Sequence, residues 1–167
     1  MGRLRDFGLV EEGPMPPVMK AFEYIGTAQV AKSAEQARDM GFIAPDDRIT
    51  MNRDRLLADA KARALELSED YKPPEPRTYI LPGPSGKAAL DLAVRDLALS
   101  GQATAHDVVV TGELAWVLSG GETDLIESVD EDYILAMERE AIGRLGRLEA
   151  SLDRMEHMLE TGKPLRN

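Results

Sequence analysis

The chain has 167 residues, 43% of them apolar and 30% charged, with a net charge of −10 and no cysteine. That length suffices for one domain with an aliphatic core, the negative field disfavours nucleic acid as a partner, and the absent cysteines exclude disulfides, thiol catalysis and thiolate-bound metals. No apolar run of about 20 residues occurs and the opening "MGRLRDFGLVEEGP" lacks the apolar segment of a signal peptide, so no membrane span and a cytoplasmic location are expected.

The first predicted helix begins at the prolines of "PPVMKAFEYIGTAQ", where a missing N–H costs nothing, and puts Val18, Phe22 and Ile25 on one face. In "KSAEQARDMGFI", Ser33 followed by Gln36 fits a capping box, and Gly41 is a natural stop. Arg48 to Met51 is the place where, at most, one very short strand is expected. Asn52 caps the next predicted helix, whose apolar stripe is Leu56, Leu57, Ala60, Ala64 and Leu67. The five prolines of "YKPPEPRTYILPGP" then forbid a helix and mark a semi-rigid connector.

Beyond the connector, "SGKAALDLAVRDLALSG" reads as a helix ending near Gly101. "TAHDVVVTGELAWVLSGG" opens on the cap pair Thr104 and Asp107 and closes on Gly120 and Gly121, although Val108 to Val110 also suits a strand. "SVDEDYILAMEREAIGRLG" offers a Ser128–Glu131 box and apolar residues at Ile134, Met137, Ala141 and Leu145. A last helix is expected in "SLDRMEHMLETGKPLRN", capped by Ser151 and ended by Gly162 and Pro164. The expected architecture is therefore mainly α: an N-terminal helical part over 1–72, a Pro-rich connector over 73–84 and a C-terminal helical part over 85–167, forming one compact unit.

Residues that could carry chemistry are few. "ILPGPSGKAALDLA" has the look of a phosphate loop, but Gly83 precedes Gly86-Lys87 by three positions, and Ala88 stands where a magnesium-binding hydroxyl is needed. The stretch reads as a helix start. His106 and His157 lack the acidic neighbours of a metal set, so no metal ligands are assigned. The acidic pairs Asp46-Asp47, Glu122-Asp124 and Asp130-Glu131-Asp132 sit at helix starts, where backbone amides stabilise negative charge. Methionines 15, 19, 137, 155 and 158 read as core filling. No catalytic residue is assigned, which leaves two classes: part of a larger enzyme, or a stand-alone, non-catalytic helical protein-interaction module.

Two stretches carry a resemblance. "KSAEQARDMGFIAPDDRI", Lys32 to Ile49, resembles the Ser-Ala-Glu-x-Ala-x-x-x-Gly-Leu-Val segment of the enoyl-CoA hydratase/isomerase (crotonase) superfamily, with Phe42 and Ile43 in place of Leu-Val. "MNRDRLLADAKARALEL", "YKPPEP" and "EHMLETGKPLRN" look like the C-terminal end of a long bacterial 3-hydroxyacyl-CoA dehydrogenase, in which a hydratase-like module comes last. The resemblance implies a section of a fatty-acid β-oxidation enzyme that shapes the acyl-CoA site and subunit contacts and is inactive alone. It also implies the upstream part of the same enzyme as partner, a homo-oligomer, and NAD and a coenzyme A thioester as ligands of the parent, with no cofactor in this section. The family's oxyanion-hole amides and acid/base glutamates belong to its earlier half. One carry-over remains: Lys163 matches the basic tail that reaches the nucleotide end of coenzyme A, with Arg166 as a helper.

Overall fold

A computed structural model describes residues 2–167. The helices are α1 (Gly2–Asp6), α2 (Met15–Gly26), α3 (Ala34–Asp39), α4 (Leu56–Ser68, preceded by a 3₁₀ turn, Arg53–Arg55), α5 (Gly83–Leu99), α6 (Ala105–Ser119), α7 (Glu131–Leu145) and α8 (Glu149–Thr161). Two three-residue strands, β1 (Thr78–Ile80) and β2 (Ser128–Asp130), pair antiparallel with Tyr79 opposite Val129. The mainly α architecture matches the expectation, but the strand does not lie at 48–51. Those residues have no ladder partner, and the side chains of Arg48 and Thr50 meet Glu66 and Asp59 on α4. Thr78–Ile80, inside the Pro-rich stretch, finds a partner strand 50 residues further on.

The antiparallel pair α5–α6 is the centre of the molecule. Its loop is closed by Gly101 in the left-handed region and by a full capping box at Thr104 and Asp107. That box commits Val108 to Val110 to α6 and removes the strand alternative. The core joins α2, α5, α6 and the strands: Val18, Leu81, Leu90, Ala115, Leu118 and Val129 are all buried together. A second cluster, Val117, Met137 and Ala141, holds α7 against α6, with Trp116 and Ile134 packed beside it. Gly83 must be glycine, since it has φ +61° and a Cβ there would run into the carbonyl oxygen of Thr123.

Several caps differ from expectation. Asp130, rather than Ser128, caps α7 by accepting from the Tyr133 N–H, because Ser128 is taken into β2. Ser151 does not cap α8; the helix has already begun at Glu149, and Ser151 is buried within it. Gln36 closes its box on the Lys32 N–H, while Ser33 Oγ accepts from the Gln36 N–H. Met137 is buried, whereas Met19, Met155 and Met158 are largely exposed rather than core-filling.

The largest departure is α4, which has no buried residue, and whose stripe residues Leu56, Leu57 and Leu67 face solvent. Polar ties join it to the segment before it, through Arg48–Glu66 at 2.9 Å and Thr50–Asp59 at 3.1 Å. Exposed side chains also line α8, at Leu152, Met155 and Leu159. The accessible surface is 11883 Å² for 18.3 kDa. A compact monomer of that mass exposes about 8,100 Å², so the surplus is roughly 3,700 Å². Such a surplus is of the order of what permanent interfaces cover.

Candidate functional site

The basic segment after α8 is built by its helix end. Gly162, φ +68°, is the left-handed cap, and its N–H bonds the Met158 carbonyl at 2.9 Å. The Thr161 hydroxyl accepts from the Lys163 N–H at 3.1 Å and starts the turn. The chain then runs back along α8, for the Asn167 side-chain amide donates to the Ala150 carbonyl at 2.9 Å, near the start of that helix. Retracing the 11 steps from Thr161 to Ala150 means covering about 17 Å. Five nearly extended residues suffice for this.

Arg154 holds this return. Its Nε donates to Asn167 Oδ1 at 2.7 Å, and its Nη2 lies within bonding distance of Asp107 Oδ1 at 2.8 Å, Thr104 Oγ1 at 3.2 Å and the Asn167 carbonyl at 3.3 Å. Arg166 donates to the Gln102 carbonyl at 3.0 Å in the α5–α6 loop. Burial pushes the Asp107 carboxyl up, but hydrogen bonds from the Thr104 backbone and hydroxyl and from Arg154 outweigh it and hold the group below its ordinary value. The side chain of Lys163 is exposed and makes no hydrogen bond among the described residues. Of the two residues the sequence points to, Arg166 is thus tied to the helical body, and Lys163 stands free between two anchors.

An apolar groove of about 810 Å³ shares Gln102 and Asp107 with these contacts. Pro16, Met19 and Phe22 of α2 form one wall and Leu90, Val94 and Leu97 of α5 the other, with Gln102, Asp107 and Thr111 at one edge. Gln102 and Asp107 therefore belong both to the groove and to the clasp. Beyond Asp107 and Arg154 a second cleft of about 490 Å³ lies over Val110, Leu114, Ile134 and Ile142. The Asp107–Arg154 pair is a polar ridge between two apolar hollows.

Other sequence candidates are occupied structurally. Lys87 is paired with Asp91 at 2.6 Å, so the loop beginning at Ile80 serves as the start of α5. His106 is buried, and its Nε2 meets Ser151 Oγ at 2.9 Å. Asp47 accepts from the Ala44 N–H at 2.7 Å and closes a turn. Trp116 lies 4.2 Å beneath the Arg144 guanidinium, which Glu113 grips at 2.6 Å and keeps firmly protonated. Among the described residues no group of acidic or histidine side chains has the arrangement to hold a metal ion. Arg154 is the residue that sequence reasoning missed. Its partners lie 47 and 13 positions away, and only the Thr104–Asp107 half of the network leaves a local signal.

No protein-family model matches the chain, and no solved structure matches it. It is similar to a protein of Bacillus subtilis (strain 168) described as a probable 3-hydroxyacyl-CoA dehydrogenase, with 43% identity over 155 residues. The match takes in 92% of this chain and 20% of the relative, so the chain spans about a fifth of the length of the curated protein it resembles.

Proposed function

We propose that the chain is the helical C-terminal section of a 3-hydroxyacyl-CoA dehydrogenase of fatty-acid β-oxidation that also carries a hydratase-like, crotonase-type module. The match over nearly the whole chain to one fifth of a protein described as a probable 3-hydroxyacyl-CoA dehydrogenase supports the dehydrogenase part of this reading, and the hydratase-like module rests on the resemblance of Lys32 to Ile49. In the parent, water adds across the double bond of a 2-enoyl-CoA thioester, and the resulting alcohol is oxidised with NAD. This section supplies neither step. It contains no Gly-x-Gly-x-x-Gly fingerprint for a dinucleotide, and no residue here is assigned to NAD.

Its role is to cover the acyl-CoA site and make subunit contacts. The surplus surface, the exposed stripe of α4 and the open groove beside α2 support that role, because apolar surface of this extent is ordinarily covered. Lys163 meets the phosphates of coenzyme A, an ammonium on a flexible stem against anionic oxygens. The purified chain should turn over neither 2-enoyl-CoA nor 3-hydroxyacyl-CoA with NAD. Joined to the upstream region of a full-length relative, it should support both reactions. Turnover by the chain alone overturns the reading.

The groove also suits a second reading, a stand-alone non-catalytic helical interaction module. A module of that kind stays monomeric and binds little of a dye that reports exposed apolar surface. A section of a larger enzyme self-associates or binds the dye strongly. Light scattering with dye titration separates them.

A further inference from the structure

We infer that Arg154 is a positioning residue that locks segment 162–167 against the α5–α6 loop, so that Lys163 and Arg166 are presented in a fixed segment to the phosphates of coenzyme A. The inference rests on the coenzyme A reading above.

The physical case begins with entropy. A basic segment after the last helix is ordinarily frayed, and a frayed lysine loses much of its gain on binding to the cost of ordering it. Here both ends of the segment are fastened. Thr161 Oγ1 holds the Lys163 N–H at one end, and Arg154 holds Asn167 at the other. Arg154 can do this because a guanidinium is a planar fork whose Nε reaches the Asn167 side chain while its Nη2 reaches Asp107 on α6 and Thr104 at its cap. Its charge is matched by Asp107, whose other oxygen is committed to the Thr104 N–H at 2.8 Å. The positive charges left unpaired by hydrogen bonds to carboxylates in this corner are therefore Lys163 and Arg166, the latter facing a backbone carbonyl.

Arg154→Ala and Arg154→Lys test this, with backbone nitrogen relaxation over 165–167, thermal unfolding and calorimetric titration with coenzyme A measured on each. Both substitutions should lower the backbone order parameters of 165–167 from about 0.85 to below about 0.6, as the fastened end is released. Order in the middle of α6 should not change. Lysine should fail here even though it keeps the charge beside Asp107, because a single ammonium cannot also span to Asn167. Coenzyme A affinity should fall several-fold in both variants while Arg154→Lys keeps the wild-type melting temperature. Unchanged order in 165–167 overturns the inference. So does lost order with unchanged affinity when Lys163→Glu weakens binding. If Lys163→Glu leaves coenzyme A binding unaltered, the coenzyme A reading itself fails, and the relaxation data still decide whether Arg154 holds the segment.

Discussion

Truncating Val18 to alanine should report whether α2 is part of the folding unit that builds the groove. Val18 is 1% exposed and packs among Leu81, Leu90, Ala115, Leu118 and Val129, which come from three other elements and their connections. Deleting two methyl groups forfeits about 1.6 kcal/mol of transfer free energy. The space left, on the order of 50 Å³, adds about 1 kcal/mol if the site does not collapse. A loss of about 1.5–3 kcal/mol lowers the melting temperature of a chain this size by roughly 4–10 °C. Circular dichroism during heating and in urea measures it, with an unchanged urea slope marking one cooperative transition. Leu57→Ala is the control: this residue is 83% exposed on α4 and should change stability by less than about 0.5 kcal/mol. A Val18→Ala loss below that limit would mean that α2 does not fold as one unit with α5–α6, and the groove would have no fixed wall.

Ser151→Ala removes the partner of a buried imidazole nitrogen and should cost about 1–3 kcal/mol, read as a lower melting temperature. Two glycines should respond oppositely. Gly120→Ala, at φ +87° with a Cβ 2.5 Å from Thr123 Oγ1, should destabilise by more than about 1 kcal/mol. Gly112→Ala, in mid-helix with open space around it, should stabilise by about 0.5–1 kcal/mol. Because the folded pKa of Asp107 lies below its unfolded value, its contribution is complete above about pH 5 and is lost as pH falls below about 4. Asp107→Asn should therefore flatten that acid limb in unfolding curves. Leu57→Lys should reduce self-association in light scattering without lowering helicity, since only the unpartnered face of α4 is altered.

Local chemistry was legible wherever a few neighbouring residues decide the outcome. Thr104 and Asp107 cap their own helix, Gly41, Gly120 and Gly162 end theirs in the left-handed region, and the prolines keep 73–77 out of a helix. Helical spacing likewise marked Met137 and Ala141 as inward-facing, as they are. The same periodicity misled at α4, because an amphipathic stripe states that a face wants cover and not where the cover is. Ser128 and Ser151 carry the right cap chemistry, yet a strand partner 50 residues upstream of β2 claimed one and a buried histidine 45 residues away claimed the other.

By itself, then, the chain's order of residues determined the helical class, most helix limits and the basic character of the segment holding Lys163 and Arg166. Tertiary structure alone decided that Arg154 bridges α6 and Asn167, that a groove opens between α2 and α5, and that α4 stands uncovered. The division has a physical origin. Caps, turns and periodicity depend on atoms within a few residues of one another, whereas a guanidinium's choice of partners and the covering of an apolar face depend on which distant elements fold against it.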